Sequence, residues 1–186
     1  MNPTSNKSDF EERTTNLKDL AYSYLEKYSP SKQQLKVFLL KKYLTKIKGT
    51  VSKREVSMII DEIIINLEKN RIVNDELYSD SKARMFLRRG YSLNKINQSL
   101  RNKGIDSKYI KQTIDKIKED EIEPDFVSAL KLCKRRRIGP LRPDENRELF
   151  YKKDMGILAR GGFNFELSKR VLDLDKTEFN KLIKII

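Results

Sequence analysis

The stretch Phe86-Leu87-Arg88-Arg89-Gly90-Tyr91-Ser92, followed by Ile96, Leu100 and Lys103-Gly104-Ile105, decides how the rest of the chain is read. Gly90 stops a helix, and Ser92 is a residue type that starts the next one. Ile96 and Leu100 put apolar side chains on one face of that helix, and Gly104 closes it. The same step recurs. At an offset of 61, Leu25, Ser31, Leu35, Leu39 and Lys42 fall on Phe86, Ser92, Ile96, Leu100 and Lys103. At a further offset of 72, Phe86, Gly90, Tyr91 and Leu100 fall on Leu158, Gly162, Phe163 and Leu172, so the chain reads as an internal repeat of short helices.

Working outward, Leu17, Leu20, Ala21, Tyr24, Leu25 and Tyr28 recur at spacings of three and four and predict a helix that ends at Pro30. Ser31, with Gln34 three residues on, predicts the start of a second helix carrying Leu35, Phe38, Leu39 and Leu44, which Gly49 stops. Ser52-Lys53-Arg54-Glu55 is a capping box ahead of Val56, Ile59, Ile60, Ile63, Ile64 and Leu67, the cleanest apolar face in the chain. Further helices are predicted from Asp75 to Arg89, from Ser92 to Gly104 and from Ser107 through Ile117. Beyond Glu123-Pro124 come a stripe over Phe126–Ile138, a loop at Gly139–Pro143, a helix over Asp144–Arg160 and two short helices to the end. The expected organisation is all-α: a disordered arm over 1–13, then repeats over 14–70, 71–121 and 122–186, stacked in an elongated body.

Charge sharpens this frame. Forty Lys and Arg oppose 27 Asp and Glu, for a net +13 and a pI near 9.7, which points to a polyanion or an acidic protein surface. Residues 27–54 hold nine cations, 81–105 hold seven and 126–143 hold six, and none of these windows contains an acid. One window falls in each repeat, so stacking would align them into a basic stripe. Arginine forks favour carboxylate and phosphate partners. The candidate partner-binding residues are therefore Arg84, Arg88, Arg89, Arg101, Lys103, Arg135, Arg136, Arg137, Arg142 and Arg160.

Other chemistries are removed by what the chain lacks. Without histidine there is no Ser-His or Cys-His catalysis and no His-ligated zinc. No Gly-Lys-Ser/Thr follows a glycine loop, so no phosphate-cradling P-loop is visible. Glu119-Asp120-Glu121 and Glu123 run together at a helix end without the spacing of a cation loop, and read as a solvated end. Cys133 shares a stripe with Phe126, Leu130 and Ile138 and is expected to pack rather than react. No enzyme activity, cofactor or metal is expected. A single cysteine needs no oxidising compartment, and neither a leader nor a membrane-spanning run is evident, so a cytoplasmic monomer is the expectation.

At Phe86-Leu87-Arg88-Arg89-Gly90-Tyr91-Ser92, and again at Leu158-Ala159-Arg160-Gly161-Gly162-Phe163, the sequence resembles the RecX family of recombinase regulators. Three positions depart from the family pattern. Gly161 stands where a second arginine is commoner, Asn164 takes the usual serine position, and Tyr28-Ser29-Pro30-Ser31 replaces an Arg-x-x-Ser junction. The resemblance implies three tandem three-helix repeats in a curved body that binds in the groove of a RecA filament on single-stranded DNA. It further implies negative modulation of RecA in recombination, DNA repair and the SOS response, by blocking filament extension or promoting disassembly. The competing reading from the residues is a helical DNA-binding protein that acts without RecA through helix-turn-helix pairs.

Overall fold

Side-chain caps at the helix starts set the register of the molecule. The computed structural model describes residues 3–46 and 52–185, and among them the chain forms ten α-helices, one 3-10 turn and no strand. The first three are α1 (Pro3–Leu25), α2 (Lys32–Lys46) and α3 (Lys53–Lys69). The next three are α4 (Asp75–Arg88), α5 (Leu93–Arg101) and α6 (Ser107–Asp120). The remainder are α7 (Pro124–Arg136), α8 (Asp144–Arg160), α9 (Phe165–Leu172) and α10 (Lys176–Ile185), with the 3-10 turn at Gly139–Leu141 between α7 and α8. None of the described helices is long and apolar enough to cross a membrane.

The repeat is visible atom by atom at its first junction. Ser31 Oγ accepts from Gln34 N at 3.2 Å, Ser92 Oγ from Lys95 N at 3.1 Å, and Asn164 Oδ1 from Leu167 N at 2.8 Å. These three caps are related by the offsets of 61 and 72, as are the starts of α2, α5 and α9. The third recurrence therefore runs through α8, α9 and α10, with α7 as an additional helix ahead of it. At Ser52 the capping box forms in full, its hydroxyl accepting from Glu55 N and the Glu55 carboxylate accepting from Ser52 N.

By backbone contacts the chain divides into two compact units. One comprises Met1–Tyr78 with Lys103–Ile105, the other Ser79–Asn102 with Asp106–Ile186. The core of the first is built by Leu17 and Ala21 of α1, Leu35, Leu39 and Tyr43 of α2, and Val56, Ile60 and Ile63 of α3. The core of the second gathers Leu130, Leu132 and Cys133 of α7 with Leu158 of α8, Val171 and Leu172 of α9 and Phe179 of α10.

Two details differ from the sequence reading. Residues 3–13, expected as a disordered arm, are helical, because α1 already begins at Pro3. Proline is pre-set for a first helical position, and the polar Glu11-Glu12-Arg13 run favours a helix without showing an apolar period. On α2, Leu44 is exposed and Tyr43 takes the buried place. At 100° per residue, Leu44 lies on the opposite side of the helix from Leu35, whereas Tyr43 falls beside Leu39. Gly49, the expected stop of α2, lies outside the described residues.

Successive helices also cap one another through carboxylates. Lys32 N at the start of α2 donates to Asp75 Oδ1 of α4 at 2.9 Å, and Leu93 N at the start of α5 donates to Asp125 Oδ1 of α7 at 2.7 Å. Thus α7 does for α5 what α4 does for α2. Burial raises the Asp125 carboxyl above its ordinary value, against the opposing pull of the Leu93 N–H and of Lys118. A carboxyl raised in the folded state costs stability as pH climbs from the unfolded value, about 3.9, through the folded one. Asp125→Ala is expected to lower stability by about 1 kcal/mol through loss of the cap. Asp125→Asn keeps an acceptor without the charge. Its melting temperature should equal or exceed the parent's at neutral pH, and the gain should vanish on acidification; thermal unfolding of both variants across pH checks this.

Candidate binding surface

Glycines decide where the arginines go. Gly90 has φ +71°, and a Cβ there would lie 2.5 Å from Leu132 N and 2.7 Å from Ser128 O. The turn after α4 therefore rests backbone to backbone on α7. On its other side Ser92 N donates to Gly161 O at 3.0 Å, and a Cβ on Gly162 would lie 2.2 Å from Ser92 Oγ. The C-terminal ends of α4 and α8 and one flank of α7 thus meet within the second unit.

Each brings cations to that junction. Arg88 ends α4 with Arg89 next to it, Arg160 ends α8, and the Arg135 guanidinium of α7 lies 5.8 Å from the centre of the Tyr91 ring. Arg136 and Arg137 follow, Arg137 closing α7 in the left-handed conformation at φ 53°. Cations in a last helical turn gain from the helix dipole, but exposed ones contribute only ~0.3–1 kcal/mol. Arg101 is at the far end of α5, about 13 Å along the helix from the Ser92 cap. Lys103 belongs to the first unit, where its carbonyl accepts from Ser31 Oγ at 2.7 Å and its side chain is exposed.

Two of the expected arginines stand apart from the junction. Arg84 lines a groove of about 400 Å³ among Asp80, Lys116, Glu119, Asp120 and Glu121, an acidic setting. Arg142 is structural. Its Nε and Nη2 donate to the Asp154 carboxylate at 2.6 Å each, and Asp154, 1% exposed, also accepts from Gly139 N at 2.9 Å. The hydrogen bond to Asp154 raises the Arg142 guanidinium above its ordinary value.

Pairing separates the remaining cations. Arg84, Arg88, Arg89, Arg101, Lys103, Arg135, Arg136, Arg137 and Arg160 are exposed and make no ion pair among the described residues. Lys32, Lys36, Lys116 and Arg170 instead hold Glu68, Asp61, Asp80 and Glu123. Glu123 is held below the usual carboxylate range by its Arg170 hydrogen bonds, so this member of the acidic run is committed. Cys133 is fully buried and its thiol is pushed up to about 12 by burial and by Asp154, which keeps it protonated and unreactive at neutral pH. Lys27, outside the expected residues, occupies the position equivalent to Arg88 and Arg160; the same offsets would have found it.

Fold and surface together define an all-α protein of tandem three-helix modules that presents exposed arginines making no ion pair among the described residues. The profile of the RecX second three-helix domain matches residues 74–114. The chain is 32% identical over 161 residues to the regulatory protein RecX of Myxococcus xanthus, covering 86% of this chain and 85% of that one. It is 31% identical over 123 residues to the regulatory protein RecX of Corynebacterium efficiens, covering 62% and 57% of the two chains. The chain belongs to the RecX family of regulatory proteins. A crystal structure of a regulatory protein RecX shares the fold, with a TM-score of 0.62 and 18% identity, covering 94% of this chain and 79% of that one.

Proposed function

We propose that this protein is a negative modulator of RecA that acts by occupying the RecA filament on single-stranded DNA. It carries out no chemistry of its own; bound modules obstruct extension of the filament or promote its disassembly, and so damp recombination, repair and the SOS response. The observation that carries the reading is that the helix ends bearing Arg88, Arg89 and Arg160 and the flank of α7 bearing Arg135 meet at one glycine junction, none of the four making an ion pair among the described residues. A filament supplies the missing anions twice over, as acidic protein surface and as phosphate. Association should therefore be fast at low salt and weaken as salt rises.

The test is ATP hydrolysis by RecA on single-stranded DNA. It should fall at substoichiometric amounts of this protein, and no effect at equimolar protein refutes the reading. The Arg88→Glu, Arg89→Glu, Arg101→Glu triple variant should raise the half-inhibitory concentration by about tenfold or more while its helical circular dichroism is unchanged, because solvated charges contribute little to folding. Loss of helical signal would instead make these arginines structural. Sequence-selective duplex binding combined with no effect on RecA would favour the DNA-binding alternative.

A further inference from the structure

The first unit turns apolar side chains away from its own core. Val37 and Leu44 of α2 and Met58 and Ile65 of α3 are between 49% and 59% exposed, and Leu40 of α2 is partly buried. Ion pairs fix where these stripes lie. Lys36 reaches Asp61 at 2.5 Å and Lys32 reaches Glu68 at 2.7 Å, so the two pairs mark the seam between α2 and α3. At 100° per residue, the core residues Leu35 and Leu39 lie on one side of Lys36, and Leu40, Leu44 and Val37 on the other, at roughly 40–100°. On α3 the core residues Ile60 and Ile64 lie on one side of Asp61, and Ile65 and Met58 on the other, at about 40–60°. Both stripes therefore flank the seam on its solvent side. Single exposed apolar residues are ordinary, but these five share one two-helix face.

The other modules do not carry this face. Counted from the caps Ser92 and Asp106, the places of Val37, Leu40, Met58 and Ile65 are taken by Gln98, Arg101, Gln112 and Glu119. Counted from the caps Asn164 and Asp175, Val37, Leu40 and Met58 become Arg170, Asp173 and Lys181. The same fold is thus built with a polar face elsewhere, so folding does not demand an apolar one here. Charge around the stripes is one-sided. Asp61 and Glu68 are held by Lys36 and Lys32, whereas Lys41, Arg54 and Lys69 are exposed and make no ion pair among the described residues. Against these three stands one such acid, Glu62.

We propose that this α2–α3 face docks an acidic amphipathic helix of a partner protein. The seam between two helices offers a trough with apolar walls about 10 Å long, two helical turns, which suits the i, i+3, i+4, i+7 stripe of a third helix. Carboxylates beside that stripe would meet Lys41, Arg54 and Lys69. A second copy of this chain would instead set the same cations against one another. Aliphatic side chains also give unpaired bases no ring to stack on. This face lies apart from the glycine junction, and the proposal does not rest on the RecA reading.

The experiment is fluorescence anisotropy of a labelled synthetic peptide of about 18 residues, long enough to be helical by itself, with leucines at i, i+3, i+4 and i+7 among glutamates and alanines. The full chain should bind it, and a scrambled peptide of the same composition or one with lysine for glutamate at least tenfold less tightly. Val37→Gln with Met58→Gln, which installs the glutamines of the second module, should weaken binding tenfold or more with unchanged circular dichroism. Ile122→Gln, which removes an apolar side chain 99% exposed in the other unit, should leave it unaltered. No binding by the parent, equal binding of the scrambled peptide, or an unaffected double variant overturns the proposal. Two further outcomes assign the face to a different occupant and overturn it equally: sedimentation in which the parent self-associates and the double variant does not, or phosphatidylglycerol vesicles that bind the parent and not the double variant.

Discussion

Replacing Asp154 by alanine is expected to destabilise the second unit by about 3–5 kcal/mol, the cost typical of breaking a buried ion pair from one side. The carboxylate is 1% exposed and accepts three hydrogen bonds, two from Arg142 and one from Gly139 N. Its removal leaves a guanidinium only 19% exposed and a buried N–H without their acceptor. Because Arg142 can turn partly to solvent, the lower end of the range applies. At ~2–4 °C per kcal/mol for a chain of this size, a loss near 3 kcal/mol lowers the melting temperature by about 6–12 °C. Arg142→Ala should cost a comparable amount by stranding the carboxylate. Replacing both residues with apolar side chains of similar volume, Asp154→Leu with Arg142→Met, should recover much of the loss, since well-packed apolar pairs often match buried ion pairs. Thermal unfolding of the three variants decides the matter, and a single Asp154→Ala melting within a degree or two of the parent would show that the clamp does not hold the turn between α7 and α8.

This clamp marks the limit of what the amino-acid sequence discloses. Arg142 sits in an acid-free window and so looks like its neighbours Arg135, Arg136 and Arg137; its partner, twelve residues on, belongs to the next helix. Linear charge density records which cations cluster along the chain, not which are neutralised across it. Local signals fared better because their partners are local. The Ser52 box, the Ser92 and Asn164 caps and the α3 face each depend on residues three or four apart, so spacing alone specifies them. The caps supplied by Asp75 and Asp125 act over 43 and 32 residues, and no period reveals them. The repeat itself was legible because cap and stripe recur together. The Leu44 error arose where two adjacent apolar residues compete for one stripe and the backbone angle decides between them.

The meeting of the arginine-bearing helix ends depends equally on residues that carry no charge. Gly90→Ala and Gly104→Ala are each expected to cost about 2–5 kcal/mol. Both glycines are left-handed, at φ +71° and +72°, so the added Cβ meets the same backbone strain of ~1–2 kcal/mol in each. Both sites are also crowded. At Gly90 the methyl group would fall within 2.8 Å of three backbone atoms of α7, which can yield only if the helix moves, and overpacking of that kind adds ~1–3 kcal/mol. At Gly104 it would fall on the Cβ and Cγ of Gln33; a χ1 turn moves the Cγ but not the Cβ, which the α2 backbone fixes, so this site too yields only by a backbone shift. Under the proposed filament binding, a Gly90→Ala protein that folds at reduced temperature should also inhibit RecA less than the parent, because the end of α4 that carries Arg88 and Arg89 would no longer rest on α7. A Gly90→Ala protein melting as the parent does would mean that α7 gives way freely and that this glycine does not hold the end of α4 on it.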